Sequence, residues 1–212
     1  MNTSQASNNR RIIAGASMIV MALIFLANTL TGFMTRPASL SPALVAVAGF
    51  IAVTGAVLMT ASILGLSHLL RSRADGVGLS GATCALVGWA VSTRISSVIQ
   101  LDAVLRAGVE GVPASALESV FKSAPLVWAS MFPVGLFFPA GLITLGIALF
   151  YWRPVNRWLG LLLALGGVLF PIGRAAGVAP AVVACDIVLA TAFASIGWQI
   201  LSRPEVWEQS SS

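Results

Sequence analysis

Four stretches of this chain, residues 12–35, 37–70, 76–93 and 123–152, contain no aspartate, glutamate, lysine or arginine. No other feature of the sequence restricts the fold as strongly. An apolar run of about 18 or more residues is long enough to cross the hydrocarbon core of a bilayer as a helix. Inside that core each backbone N–H and C=O must find its partner within the protein, which leaves helices and closed barrels as the spanning structures. The runs are continuous rather than alternating, so helices are expected. Composition agrees: 58% of the residues are hydrophobic and 9% charged, where a soluble domain carries about 25% charged residues.

The net charge of +5 does not indicate a nucleic-acid binder. The basic residues lie in small clusters beside apolar runs, where such groups orient a membrane protein and meet anionic headgroups. At the N-terminus, Asn9-Arg10-Arg11 precedes "IIAGASMIVMALIFLANTLTGF". That run is longer than the core of a signal peptide, and more apolar runs follow it, so it is expected to be an uncleaved first span.

Apolar runs and breakers predict an all-α bundle of six transmembrane helices, at 11–33, 42–67, 78–101, 125–150, 156–173 and 179–202. The loops between them are short, and Ser72 to Gly78 reads as a polar turn. Residues 1–10 are expected to be a disordered cytoplasmic N-terminus, 11–202 a single transmembrane domain and 203–212 a cytoplasmic tail. Lys and Arg counts set the orientation. Arg10, Arg11, Arg71, Arg73, Arg153, Arg157 and Arg203 fall on one side, against Arg36, Arg106, Lys122 and Arg174 on the other. Both termini are therefore expected in the cytoplasm, with the chain in the cell inner membrane. Tyr151, Trp152 and Trp158 flank the Arg153–Arg157 turn as an interfacial aromatic belt would, with Trp198 and Trp207 near the same face. In the outer loop between helices three and four, Ser115 and Glu118 form a capping-box pattern that predicts a short surface helix to Lys122.

One charge lies where none is expected. Arg94, in "VSTRISSVIQLD", sits inside the third span, and a charge at membrane depth must be paired or reach water. Asp75, Glu205 and Glu208 belong to the inner side, and Asp102, Glu110 and Glu118 to the outer loop, leaving Asp186 in the sixth span. Each of the two residues lies roughly 10 Å below the outer end of its helix at 1.5 Å per residue. The economical solution is an Arg94–Asp186 pair. Ala190, Phe193, Ala194 and Gly197 share the face of Asp186 and are mostly small, as at close helix contacts in membranes.

Asn28, Ser97, Gln100 and Arg174 extend this polar layer. Pro133 and Pro139 are expected to interrupt the fourth helix and free backbone carbonyls. Together these residues predict an outward-facing polar pocket, with Arg94, Asp186, Asn28, Ser97, Gln100 and Arg174 as its ligand-binding groups. The same pair can instead fix helix register without binding anything.

Other features point elsewhere. His68, the one histidine, cannot supply a bis-histidine haem or a His-rich metal site and reads as an interfacial side chain near Arg71. Cys84 and Cys185 lie at levels that differ by roughly 13 Å at 1.5 Å per residue, too far for a disulfide. No H-E-x-x-H, G-x-S-x-G, Walker or C-x-x-C motif occurs, so no cofactor is expected and an enzyme is the least favoured class. "GATCALVG" and "LALGGVLF" read as packing surfaces, and Ala48, Ala52, Ala56 and Thr60 as a close-contact seam in helix two.

The segment "LFYWRPVNRWLGLLLALGGVLFPIGR", two spans around a basic hairpin, resembles small bacterial multi-pass membrane proteins. The resemblance implies a bacterial inner membrane and carries no functional residue. Two functions stay open. One is a transporter-like protein that binds or moves a small solute or protons. The other is a non-catalytic membrane subunit that docks a membrane partner or a second copy. The lipid bilayer is the expected partner in both, and nucleic acid in neither.

Overall fold

The computed structural model describes residues 3–34, 42–106, 133–174 and 178–210, with side chains described throughout except at 3–4, 28, 30–34, 42–49, 52 and 93–106. Among these residues it is all-helical. Six long helices, α1 (Thr3–Met34), α2 (Pro42–Leu69), α3 (Arg71–Arg106), α4 (Phe137–Trp152), α5 (Arg157–Arg174) and α6 (Ala179–Ser202), precede a short α7 (Pro204–Glu208). Among the described residues, five segments are long and apolar enough to cross a membrane: Gln5–Ala27, Arg71–Ser92, Pro133–Trp152, Arg157–Arg174 and Ala179–Ser202. In α2, Val53–Leu69 is a shorter apolar stretch.

Each long helix packs against its neighbours in sequence, and α1 closes against α6, so the described helices form a ring. Met18, Met21, Phe25, Met59, Ile63, Leu66, Leu142, Leu145, Phe193 and Ile196 fill its interior and are buried. Lipid tails are as apolar as these side chains, so close backbone approach and dispersion must hold such helices together. Glycine supplies the approach. A β-carbon on Gly146 of α4 would lie 2.6 Å from the Gly160 carbonyl of α5, and one on Gly197 of α6 would lie 2.6 Å from the Gly15 carbonyl of α1. Gly81 and Gly88 of α3 face α4, while Gly166 and Gly167 of α5 face α6 and α4, so both glycine-containing stretches are packing surfaces.

Several boundaries differ from expectation. α1 begins at Thr3 rather than near residue 11. The expected polar turn from Ser72 to Gly78 is absorbed into α3. The turn contracts to Leu70, whose carbonyl accepts from the Arg73 and Ala74 N–H groups at 3.1 and 2.7 Å, and to a kink at Ala74. The helix-two seam is corrected at Thr60, which is exposed and donates to the Ala56 carbonyl, while Gly55, Met59, Ser62 and Ile63 are buried. Ala48 and Ala52 lie outside the described side chains. Between Pro133 and Pro139 the chain turns at Leu136, and the regular helix resumes at Phe137. Pro139 therefore falls in the first turn, where its missing N–H breaks no helical bond. The capped surface helix expected from Ser115 to Lys122 lies outside the described residues.

Within the segment expected to be a cytoplasmic tail, residues up to 210 fold back against the helix ends. Trp207 is 3% exposed and stacks on His68 with ring centroids 4.1 Å apart. Ser210 Oγ lies 3.2 Å from the Leu69 carbonyl and 3.0 Å from the Val206 carbonyl, sharing its one proton between them, and Ser72 Oγ donates to the Gln209 carbonyl at 2.9 Å. At the same end Arg11 donates to the Leu201 carbonyl and Arg73 to the Trp152 carbonyl, while Gln199 Oε1 accepts from the Asn156 N–H. These contacts gather the arginine-rich ends of α1, α3, α4, α5 and α6 at one end of the ring.

Candidate functional site

At the opposite end, α1, α5 and α6 meet around Asp186. From the Arg11–Leu201 contact to the Thr29–Asp186 contact, α1 and α6 rise by roughly 27 and 22 Å at 1.5 Å per residue. That is a little less than the ~30 Å thickness of a hydrocarbon core. The carboxylate thus lies near the other end of the ring, in the second or third turn of α6. Ala190, Phe193 and Gly197 below it are buried, so this face of α6 points into the ring, as the small-residue spacing predicts.

Asp186 is 1% exposed. A carboxylate so placed needs an opposite charge and hydrogen-bond donors, and both are present. Arg174, the last residue of α5, places Nη2 2.7 Å from Oδ1. Thr29 of α1 places Oγ1 2.6 Å from Oδ2, within the range of a charge-assisted O–H···O⁻ bond. The Thr29 hydroxyl also lies 3.1 Å from the Phe25 carbonyl in its own helix. It has one proton, which the shorter, charged contact takes.

The guanidinium is held from three sides. It stands 4.6 Å above the Phe170 ring in a cation–π contact. Its Nη1 lies 3.8 Å from Cys185 Sγ, and that thiol donates to the Gly166 carbonyl at 3.4 Å. The Arg174 side chain is nevertheless 33% exposed, so the pair joins a buried anion to a cation that reaches the surface. Below it, Phe170 packs edge-on against Phe138 at 4.9 Å, and Phe138 against Trp89 of α3 at 5.0 Å. This ladder of rings floors the site from α5 across to α3.

Of the six residues the sequence nominates, the structure brings together Asp186 and Arg174. Arg94, Ser97 and Gln100 stand on α3 and Asn28 on α1, but their side chains lie outside the described residues, as does the arginine half of the expected Arg94–Asp186 pair. Thr29, Phe170 and Cys185 were not nominated. For Thr29 a signal existed. The buried face Ala14, Met18, Met21, Phe25 continues at helical spacing to both 28 and 29, and spacing alone does not choose between them. Cys84 is exposed and Cys185 buried, and both are free thiols. Among the described residues no group of three or more His, Cys, Asp or Glu side chains is arranged to hold a metal ion.

No family model matches this chain, and neither a curated protein nor a solved structure is detectably similar to it.

Proposed function

We propose that this is a six-span protein of the bacterial inner membrane with both ends cytoplasmic. In this reading it binds or translocates a small solute or protons at an outward-facing polar centre. Asp186 and Arg174 form the charged pair, Thr29 orients the carboxylate, and Arg94, Asn28, Ser97 and Gln100 complete the layer. The observation that carries this reading is the pair itself: a carboxylate 1% exposed, bound to a guanidinium that is 33% exposed. A buried charge with a partner open to the surface is one that an entering ion, proton or polar solute can reach and unpair.

Two further observations support it. The Arg11–Leu201 contact brings the start of α1 and the end of α6 to the same end, which agrees with an even number of crossings between them. Five qualifying segments together with α2 make six. The ring ladder bears on Arg94. Arg94 lies five residues beyond Trp89 in α3, and Arg174 four beyond Phe170 in α5, so their backbones stand roughly 6–8 Å above the ladder by helical rise. The two arginine backbones thus start from similar heights, from which a long side chain can reach down to the carboxylate.

A second reading has its own observation. Both carboxylate oxygens are occupied, one from α5 and one from α1, so Asp186 staples three helices and would serve equally in a structural or partner-docking subunit. A thermal-shift screen of small ions and polar solutes on purified wild type and Asp186→Asn, with proton flux measured in proteoliposomes, separates the two. A ligand or flux that depends on Asp186, and that Arg94→Gln or Arg174→Gln also alters, supports the binding site. If Asp186→Asn changes stability alone, with every ligand and flux response matching wild type, the staple is its whole role and the proposal falls.

A further inference from the structure

The arginine-rich end contains a feature that the polar centre does not use. Where α4 turns into α5, residues 153–156 form a short connection held on several sides. Arg153 adopts a left-handed conformation (φ 53°, ψ 42°), and its N–H closes the last turn of α4 on the Leu149 carbonyl. Val155 is buried, the Asn156 N–H binds Gln199 of α6, and Asn156 Oδ1 accepts from the Trp158 N–H to cap α5.

Arg153 lies in this fixed turn, Arg157 directly follows it, and a third arginine reaches it from another helix. Arg73 reaches over from α3, its Nη1 2.7 Å from the Trp152 carbonyl, one peptide away from Arg153. Arg157 opens α5 with its guanidinium 4.9 Å above the Trp158 ring. All three arginines are exposed. The acidic residues at this end, Asp75, Glu205 and Glu208, form no ion pair with them among the described residues. Tyr151, Trp152 and Trp158 stand around the turn at 71%, 39% and 56% exposure, as amphipathic rings do at headgroup depth.

We infer that the α4–α5 turn, with Arg73, Arg153 and Arg157, is a binding site for the phosphate of an anionic glycerophospholipid. Guanidinium groups pair with phosphate oxygens in a planar, two-pronged geometry that an ammonium cannot copy. Arg73 is already hydrogen-bonded to the turn and Arg157 already stands over Trp158, so these two lose less freedom when the anion arrives than unattached side chains would. The aromatic rings hold the turn at the depth where that phosphate lies, while the acyl chains follow the outer faces of α4 and α5. Within about 15 Å of the turn, half the thickness of a hydrocarbon core, the exposed Ile147, Leu161 and Leu165 make those faces apolar. This site is independent of any role for Asp186.

The test is lipid retention and thermal stabilisation of the full chain in nanodiscs of phosphatidylcholine with or without phosphatidylglycerol. Three proteins are compared: wild type, Arg73→Gln/Arg153→Gln/Arg157→Gln, and a control Arg10→Gln/Arg71→Gln/Arg203→Gln. The control removes the same charge from the same end. Wild type and control should be stabilised by phosphatidylglycerol and retain it on delipidation. The site variant should bind it at least about tenfold more weakly than the control, because general surface attraction is reduced equally in both. An Arg73→Lys/Arg153→Lys/Arg157→Lys variant, which keeps the charge, should recover only part of the affinity, and it checks that the turn still folds. Equal losses in site variant and control would overturn the site in favour of diffuse attraction. Equal stabilisation by inorganic phosphate in phosphatidylcholine discs would overturn the lipid in favour of a free anion.

Discussion

At the scale of single residues, the two members of the buried pair are not equivalent. Removing Arg174 leaves a carboxylate that is 1% exposed with no cation among its described partners, whereas removing Asp186 leaves a guanidinium that can turn toward the surface. Arg174→Gln is therefore expected to cost about 3 kcal/mol of stability and Asp186→Asn less, about 1–2 kcal/mol, since breaking a buried pair is worst when the stranded charge stays buried. Thr29→Val removes the one described hydroxyl donor to Oδ2 and should cost about 1.5–3 kcal/mol, with Thr29→Ser near wild type. Denaturation of the purified protein in micelles measures all four. A larger loss for Asp186→Asn than for Arg174→Gln would contradict the assigned burial. The need for a buried acid with a basic partner was legible in the sequence, because Asp186 was the one acid left to a span. Its described partner was harder to read, because counting residues compares backbone levels. An arginine at a helix end has a long side chain and can reach a neighbouring helix from a different level.

For whole helices, close backbone approach decides which substitutions are tolerated. At Gly197 an added methyl meets the Gly15 carbonyl at 2.6 Å, and backbone cannot move aside without shifting α1 against α6. Gly197→Ala is expected to cost about 1–3 kcal/mol. At Gly76, near the start of α3, nothing lies within 4 Å of the added atom, so Gly76→Ala should be neutral or stabilise by up to about 1 kcal/mol through helix propensity. Comparing the unfolding midpoints of the two variants checks the assignment, and similar effects would mean that α1 and α6 do not meet through Gly15 and Gly197. The small-residue face of α6 was readable because Asp186, Ala190, Phe193, Ala194 and Gly197 follow helical spacing. The seam expected in α2 failed at Thr60 because alanine and threonine at helical spacing suit a lipid-facing surface as well as an interface. Nothing local distinguishes the two.

Across the whole molecule, the ring is fastened at its arginine-rich end by the segment after Arg203. Trp207→Ala should destabilise by about 3 kcal/mol, as for other buried aromatic truncations. Trp198→Ala, at a position 66% exposed, should stay within about 0.5 kcal/mol. Thermal unfolding of both in the same detergent tests this, and a silent Trp207→Ala would show that the fold-back contributes nothing. The helical, membrane-embedded character of the chain, and the set of arginines that gather at one end, could be read from the residues alone. Those properties follow from uncharged run lengths and from the cost of bare backbone or charge in hydrocarbon, which act on each segment separately. The closure of α1 on α6, the hold of Arg174 and Thr29 on Asp186, and the burial of Trp207 against His68 emerge from the packed fold. Those outcomes depend on which helix faces meet and on where long side chains reach across the ring, and no single segment carries that information.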